Sequence, residues 1–170
     1  MSRALHSAWR SSCGTYSVLI TASCAADMER LATEHAPREV GTALVGNYSD
    51  NGHEATITGL APLTPDSRGA RFTFQRGARG LFKFFRSLFH ASHGRTHYVG
   101  EWHSHPGGDP CPSGTDDENM LAIARDHRAK CPECVLLILA SRRNQVELGA
   151  FVYSRTRGRV GLQQSKRGQE

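Results

Sequence analysis

No stretch of this chain approaches the roughly 18 consecutive apolar residues that a membrane-spanning helix needs, so no transmembrane segment is expected. Residues 1–12 lack the apolar block of a secretory signal. Their Ser and Arg content without acids is shared with organelle transit peptides, but a frayed, polar arm over residues 1–14 is the expected state. Internal repeats and low-complexity blocks are also missing, which argues against a solenoid or a disordered linker protein. Cysteine is scarce and odd in number, with five residues, two of which flank Pro132-Glu133. A disulfide framework fits that poorly; reduced thiols in a cytoplasm fit better. One signature is absent in an informative way. Zinc deaminases pair P-C-x-x-C with an upstream H-x-E. Here Lys130 precedes Cys131-Pro132-Glu133-Cys134, His53 and Glu54 are adjacent, and His35 lies four positions before Glu39. The deaminase reading fails, and Cys131 and Cys134 are expected to be buried structural thiols rather than a redox pair or a second zinc site.

What is present suits one domain. A length of 170 residues with 38% apolar and 22% charged residues is near globular averages. The net charge is +5, but the basic residues are dispersed, with local density at residues 76–86 and 155–167. A charged surface or an acidic protein partner accounts for that better than nucleic acid does.

Along the chain, residues 15–21 predict a strand, and Ser23 is placed to cap a helix to about residue 35 with Met28, Leu31 and Ala32 on one face. After Pro37, residues 39–48 predict a second strand. Asp50-Asn51-Gly52 signals a hairpin turn into a partner at 53–60. A short strand is expected at 70–74. The segment 81–90 predicts a helix whose buried face is Leu81, Phe82, Phe85, Leu88 and Phe89, opposite Lys83, Arg86 and Ser87. Then follow a strand at 97–105, a helix at about 115–127, a continuous apolar strand at 134–140, and an alternating antiparallel strand at 145–153. Residues 155–170 are expected to form a basic tail with at most a short edge strand at 160–163. The pattern as a whole predicts a mixed α/β domain over residues 15–154.

The chemistry concentrates in His103-Ser104-His105-Pro106, followed by Ser113 and Asp116. Alternation along a strand sends His103 and His105 to one side and Trp102 and Ser104 to the other. Asp116, in the first turn of the next helix, can swing back as a third ligand. Two imidazoles and a carboxylate leave one tetrahedral position for a water that zinc acidifies to a pKa of about 7. Iron or manganese could use the same donors. A proton shuttle is still needed, and Glu39 is the candidate general acid/base, with Glu101 as a rival because 101, 103 and 105 share a face. Ser113 could donate to an oxyanion. Alternatively, Ser113 and Asp116 form a helix capping box, for which Thr115 and Glu118 also compete. Cys111 lies inside the same loop.

At these positions the chain resembles the JAMM family of zinc metallopeptidases, also called JAB-domain or MPN-plus proteins. The family's upstream Glu joined to H-x-H-P-x6-S-x-x-D is matched by Glu39, His103, His105, Pro106, Ser113 and Asp116. Residues 39–46 (E-V-G-T-A-L-V-G) resemble the strand that carries the family's Glu, with Thr42 where a second Gly is usual. The G-E-W-H-S-H-P run at 100–106 is similar to the bacterial branch. The resemblance implies a cytidine-deaminase-like α/β fold with a mixed central sheet flanked by helices. It implies Zn2+ held by His103, His105 and Asp116, with Glu39 as acid/base and Ser113 at the oxyanion. The implied activity is isopeptidase or peptidase cleavage after the C-terminal Gly of a ubiquitin-like protein or conjugate, in a bacterial antiphage pathway with E1-like and E2-like operon partners. A sulfur-carrier peptidase and a non-catalytic MPN scaffold are the alternatives. Long insertions of the linkage-specific relatives are missing.

Overall fold

The apolar run at 134–140 is the spine of the structure, a computed structural model that describes residues 5–142 and 145–165. It forms strand β8 (Glu133–Arg142), almost continuously buried, as a strand covered on both faces must be. Val135, Leu137 and Leu139 face a core shared with helix α1 (Ala22–His35), while Cys134, Leu136 and Ile138 face helix α3 (Gly114–Arg125). Cys131 and Cys134 are fully buried in the α3 layer, as expected of structural thiols, and all five cysteines are free.

Eight strands are each paired on two sides and close on themselves. In spatial order they are β1 (Leu5–Ser11), β10 (Gly158–Gln164), β9 (Gln145–Ser154), β8, β7 (His97–Pro106), β3 (Gly41–Tyr48), β4 (Glu54–Leu60) and β2 (Ser17–Thr21). The pairings β2–β4 and β7–β8 are parallel and the others antiparallel, so the sheet is mixed. Helix α3 is the crossover between β7 and β8, and this places the start of α3 beside the end of β7. Helix α2 (Leu81–Ala91) covers β3 and β7 on the outer face through Leu81, Phe84, Phe85 and Leu88.

Several expectations are corrected. Residues 5–11 are strand β1, where a frayed arm was expected, because they complete the ladder between β2 and β10. The basic tail supplies β10, which is interior: Arg10 pairs with Gln163 on one side and Val160 with Val152 on the other. The sheet therefore draws on both segments expected to lie outside the domain; residues 1–4 and 166–170 fall outside the described residues. Helix α1 starts two residues earlier than Ser23 would set it. Thr21 caps it, its hydroxyl accepting from the Cys24 N–H at 3.4 Å. The strand expected at 70–74 is the turn and second arm of a small hairpin, β5 (Arg68–Gly69) with β6 (Phe74–Gln75), closed by the Ala70 N–H donating to Thr73 O. On α2, Phe82 is 78% exposed and Phe84 is turned inward instead. The helix meets the sheet over a narrower arc than its aromatic content suggests.

Candidate metal centre

Strand β7 ends in His103 and His105, which project to the same side as the alternation requires. Trp102 is buried in the α1 core on the other side. The two Nε2 atoms lie 3.0 Å apart, and Asp116 Oδ1 lies 3.5 Å from His103 Nε2. The three donor atoms sit within 4.8 Å of one another. Ligands at zinc distances and tetrahedral angles would be about 3.3 Å apart, and the two pairs that include His103 Nε2, at 3.0 and 3.5 Å, lie within a few tenths of an ångström of that.

The protonation states suit a cation. His105 Nδ1 is 2.9 Å from the Asp109 carbonyl, which can only accept, so Nδ1 carries a proton and Nε2 is the nitrogen turned toward His103. Burial pushes the His103 imidazole down to about 4, against the attraction of Asp116 and with the help of His105. It is therefore neutral at pH 7. The residues fit Zn2+ by donor type, spacing and tautomer.

Ser113 caps α3, and the capping box is real. Its hydroxyl donates to Asp116 Oδ2 at 2.7 Å and accepts from the Asp116 N–H at 3.2 Å, and its own N–H donates to Asp116 Oδ2 at 2.7 Å. These bonds hold one carboxylate oxygen and leave Oδ1 aimed at His103. The cap and the proposed ligand are one device. Thr115 is not the cap.

Glu39 sits two residues before β3 rather than opening it. Two neighbouring ties hold it there: its N–H donates to Ala70 O at 2.8 Å, and the next residue, Val40, exchanges bonds with Ser104. Gly41 permits this approach. A Cβ there would collide with Trp102 O and come within 2.7 Å of His103 Cβ. Thr42, at the position usual for a second Gly, is buried and bonds Pro62 O at 3.1 Å. The Glu39 side chain is 9% exposed and lines a cleft of about 590 Å³ with His103, His105, Ser113 and Asp116. Burial pushes its carboxyl above the usual range, His105 draws it back, and Asp116 adds to the rise.

Glu101, the rival, is engaged on both oxygens. Arg76 Nε donates to Oε2 at 2.6 Å and Tyr98 OH to Oε1 at 2.7 Å. Burial pushes the Glu101 carboxyl up while Arg76 and the Tyr98 hydroxyl draw it back, and with both oxygens taken its role is structural. Cys111 is exposed and lines the cleft, apart from the three-donor group.

Sequence reasoning missed Ser104, Phe74 and Arg76. Ser104 Oγ accepts from Val40 N–H at 3.0 Å, Phe74 stacks on the His103 ring at 6.2 Å between centroids, and Arg76 clamps Glu101. Only Ser104, a hydroxyl facing away between two ligands, had a signal in the pattern.

The family model for prokaryotic homologues of the JAB domain matches residues 21–153, which includes all five site residues. The chain belongs to that family. It is 40% identical over 125 residues to a CD-NTase/cGAS isopeptidase of Enterobacter hormaechei subsp. hoffmannii, covering 73% of this chain and 67% of the relative. A second CD-NTase/cGAS isopeptidase, of Pseudomonas aeruginosa, is 29% identical over 100 residues, 59% of this chain and 62% of that one. The chain thus spans about two thirds of each relative. The solution structure of a Desulfitobacterium hafniense protein superposes with a TM-score of 0.61 at 18% identity, covering 86% of this chain and 88% of that chain, a likeness of fold. No helix among the described residues is long and apolar enough to cross a membrane.

Proposed function

We propose that the chain is a zinc isopeptidase that hydrolyses the bond after the C-terminal Gly of a ubiquitin-like protein or a related conjugate. Its setting is a bacterial antiphage pathway in which a CD-NTase-type enzyme is the conjugated target, with E1-like and E2-like proteins as operon partners. The observation that carries this is the convergence of two imidazoles and Asp116 Oδ1, with a separate buried carboxylate, Glu39, across the same cleft. The names of two relatives, CD-NTase/cGAS isopeptidases, support the substrate class. The finer fold assignment, a cytidine-deaminase-like α/β fold with a mixed central sheet flanked by helices, belongs to the same reading and is supported by the mixed sheet and its crossover through α3.

His103, His105 and Asp116 would hold Zn2+, which would supply Lewis acidity toward a water and the scissile carbonyl. The protein's own residues do the rest. Glu39, with its carboxyl raised by burial, takes a proton from the nucleophilic water and passes it to the leaving amine. Ser113 donates to the developing oxyanion, which requires the proton it now gives Asp116 Oδ2 to turn toward substrate. A second cleft, between β6 and α3, also reaches His103 and Asp116, and among the described residues β6 pairs only with β5. An extended Gly-rich tail can lie along that free edge, reading backbone more than side chains.

The test is incubation of Zn2+-loaded protein with a ubiquitin-like protein extended beyond its C-terminal Gly, and with a CD-NTase conjugate, read by mass spectrometry. Cleavage after Gly, lost on chelation and in His103→Ala, is expected. Cleavage confined to a sulfur-carrier tail favours the alternative peptidase. No cleavage of any of them, with full zinc uptake, leaves the scaffold reading and overturns this one.

A further inference from the structure

The hairpin β5–β6 has two residues in each arm, too few to hold its shape alone. Yet both arms touch the site. From the first arm, Gly69 packs so closely on the Glu39 carbonyl that a Cβ would clash with it, and the next residue accepts the Glu39 N–H at Ala70 O, 2.8 Å away. From the second arm, Phe74 lies over the His103 ring with 25° between the planes. The base of the hairpin is tied to its own start: Asp66 accepts from the Ala78 and Arg79 N–H groups, and Ser67 Oγ accepts from Gly77 N–H. None of those bonds reaches the sheet. Among the described residues, the one ion pair joining the hairpin segment to the sheet is Arg76 with Glu101 of β7, at 2.6 Å and largely shielded from water. Arg76 Nη1 also donates to Gly77 O at 2.7 Å, and Tyr98 fixes the far oxygen of Glu101. A charge-assisted bond this short, with both partners held from behind, is stiff.

We propose that Arg76 is a positioning residue: through Glu101 it pins the hairpin to β7, and the pinned hairpin sets Glu39 and the His103 ring at a fixed separation. Arg76 lines the β6–α3 cleft, and its hydrogen bonds go to Glu101 and Gly77 O rather than to the proposed zinc ligands or Glu39. Its influence passes through two mechanical contacts, Ala70 O on Glu39 and Phe74 on His103. Small displacements between a base and a bound nucleophile are costly in rate, which makes a remote clamp consequential. As a statement about catalysis this rests on Glu39 acting as proposed; as a statement about geometry it does not.

The experiment has two readouts on Arg76→Gln and Arg76→Lys. In metal-free protein, amide hydrogen exchange is followed at Glu39 and, as an internal reference, at Ile138 in β8. The Glu39 amide is expected to exchange at least about tenfold faster in Arg76→Gln while Ile138 is unchanged, because only the local opening becomes easier. Arg76→Lys, which keeps the charge, should restore most of the protection. In the Zn2+-loaded protein, Arg76→Gln should lower kcat by about 10- to 100-fold with KM within about threefold and zinc stoichiometry intact. Unchanged Glu39 protection in Arg76→Gln overturns the proposal. So does an equal acceleration at Ile138, which marks general destabilisation. If the wild type hydrolyses nothing but the exchange pattern appears, the clamp stands and the isopeptidase reading falls.

Discussion

Replacing Glu39 with Gln separates base chemistry from metal binding, because the side chain keeps its shape and loses only its proton capacity. The main-chain bond to Ala70 O and the close packing at Gly41 and Gly69 do not involve the carboxyl, so the local backbone is expected to persist. Zinc should be retained, since the three donors lie elsewhere. Loss of a positioned general acid/base lowers kcat by about 10²–10⁴-fold, or roughly 3–5 kcal/mol of barrier. Stability should move the other way. Burial raises the folded-state pKa of Glu39, so the folded protein binds more protons than the unfolded chain between the two pKa values. Stability then falls as pH rises through the folded pKa. Gln removes that cost: the variant should match wild type in acid, where Glu39 is protonated in both states, and exceed it near neutral pH. The assay is steady-state cleavage of a C-terminally extended ubiquitin-like protein, with zinc measured by elemental analysis and melting followed at pH 4 and pH 7. Turnover within tenfold of wild type, or zinc lost along with activity, refutes the assignment.

Ser113→Ala removes the cap hydroxyl and one of the bonds that orient Asp116. It should cost about 1 kcal/mol of stability and weaken zinc about tenfold, measured by melting and by competition with a chromogenic chelator. Gly41→Ala drives a Cβ toward Trp102 O and His103 Cβ and should destabilise by about 1–3 kcal/mol in denaturant titration, with zinc uptake impaired because His103 is displaced. Cys13 is exposed, and its bonds with Ser11 and Thr15 lower its thiol to about 7, whereas burial pushes Cys24 up to about 12. Iodoacetamide labelling of folded protein, mapped by mass spectrometry, should therefore be half-maximal at Cys13 near pH 7 and absent at Cys24 until the fold is lost.

The three-donor group was legible in the sequence to an unusual degree because its residues are local. His103 and His105 are two apart on a strand, and period-two alternation alone fixes that they share a side. Asp116 follows within one loop, and its capping box with Ser113 is a short-range pattern. Continuous burial of β8 was readable for a similar reason: a run of apolar residues without alternation has no solvent face. Misreadings arose where one period could not tell two partners apart. On α2 the aromatic residues ring most of the helix, and only the width of the contact with β3 and β7 chose Phe84 over Phe82. Residues 5–11 carry too few apolar residues to announce a strand, and 158–164 announce only a short edge strand at 160–163. They are strands because β2 and β9 each present an unpaired edge that they complete.

Local spacing and residue type, then, were enough to determine the donors, the capped helix that brings Asp116 to them, and the mixed α/β class. Tertiary structure alone decided which carboxylate is tied up and which is left facing the cleft. Glu39 and Glu101 are equal as letters, and by strand alternation Glu101 had the better claim to face the imidazoles. Arg76, 25 positions away in sequence, and Tyr98 take both oxygens of Glu101, while Glu39 is turned into the cleft beside His105 and Asp116. No periodicity encodes that choice, because it depends on which distant side chain arrives to neutralise a buried charge.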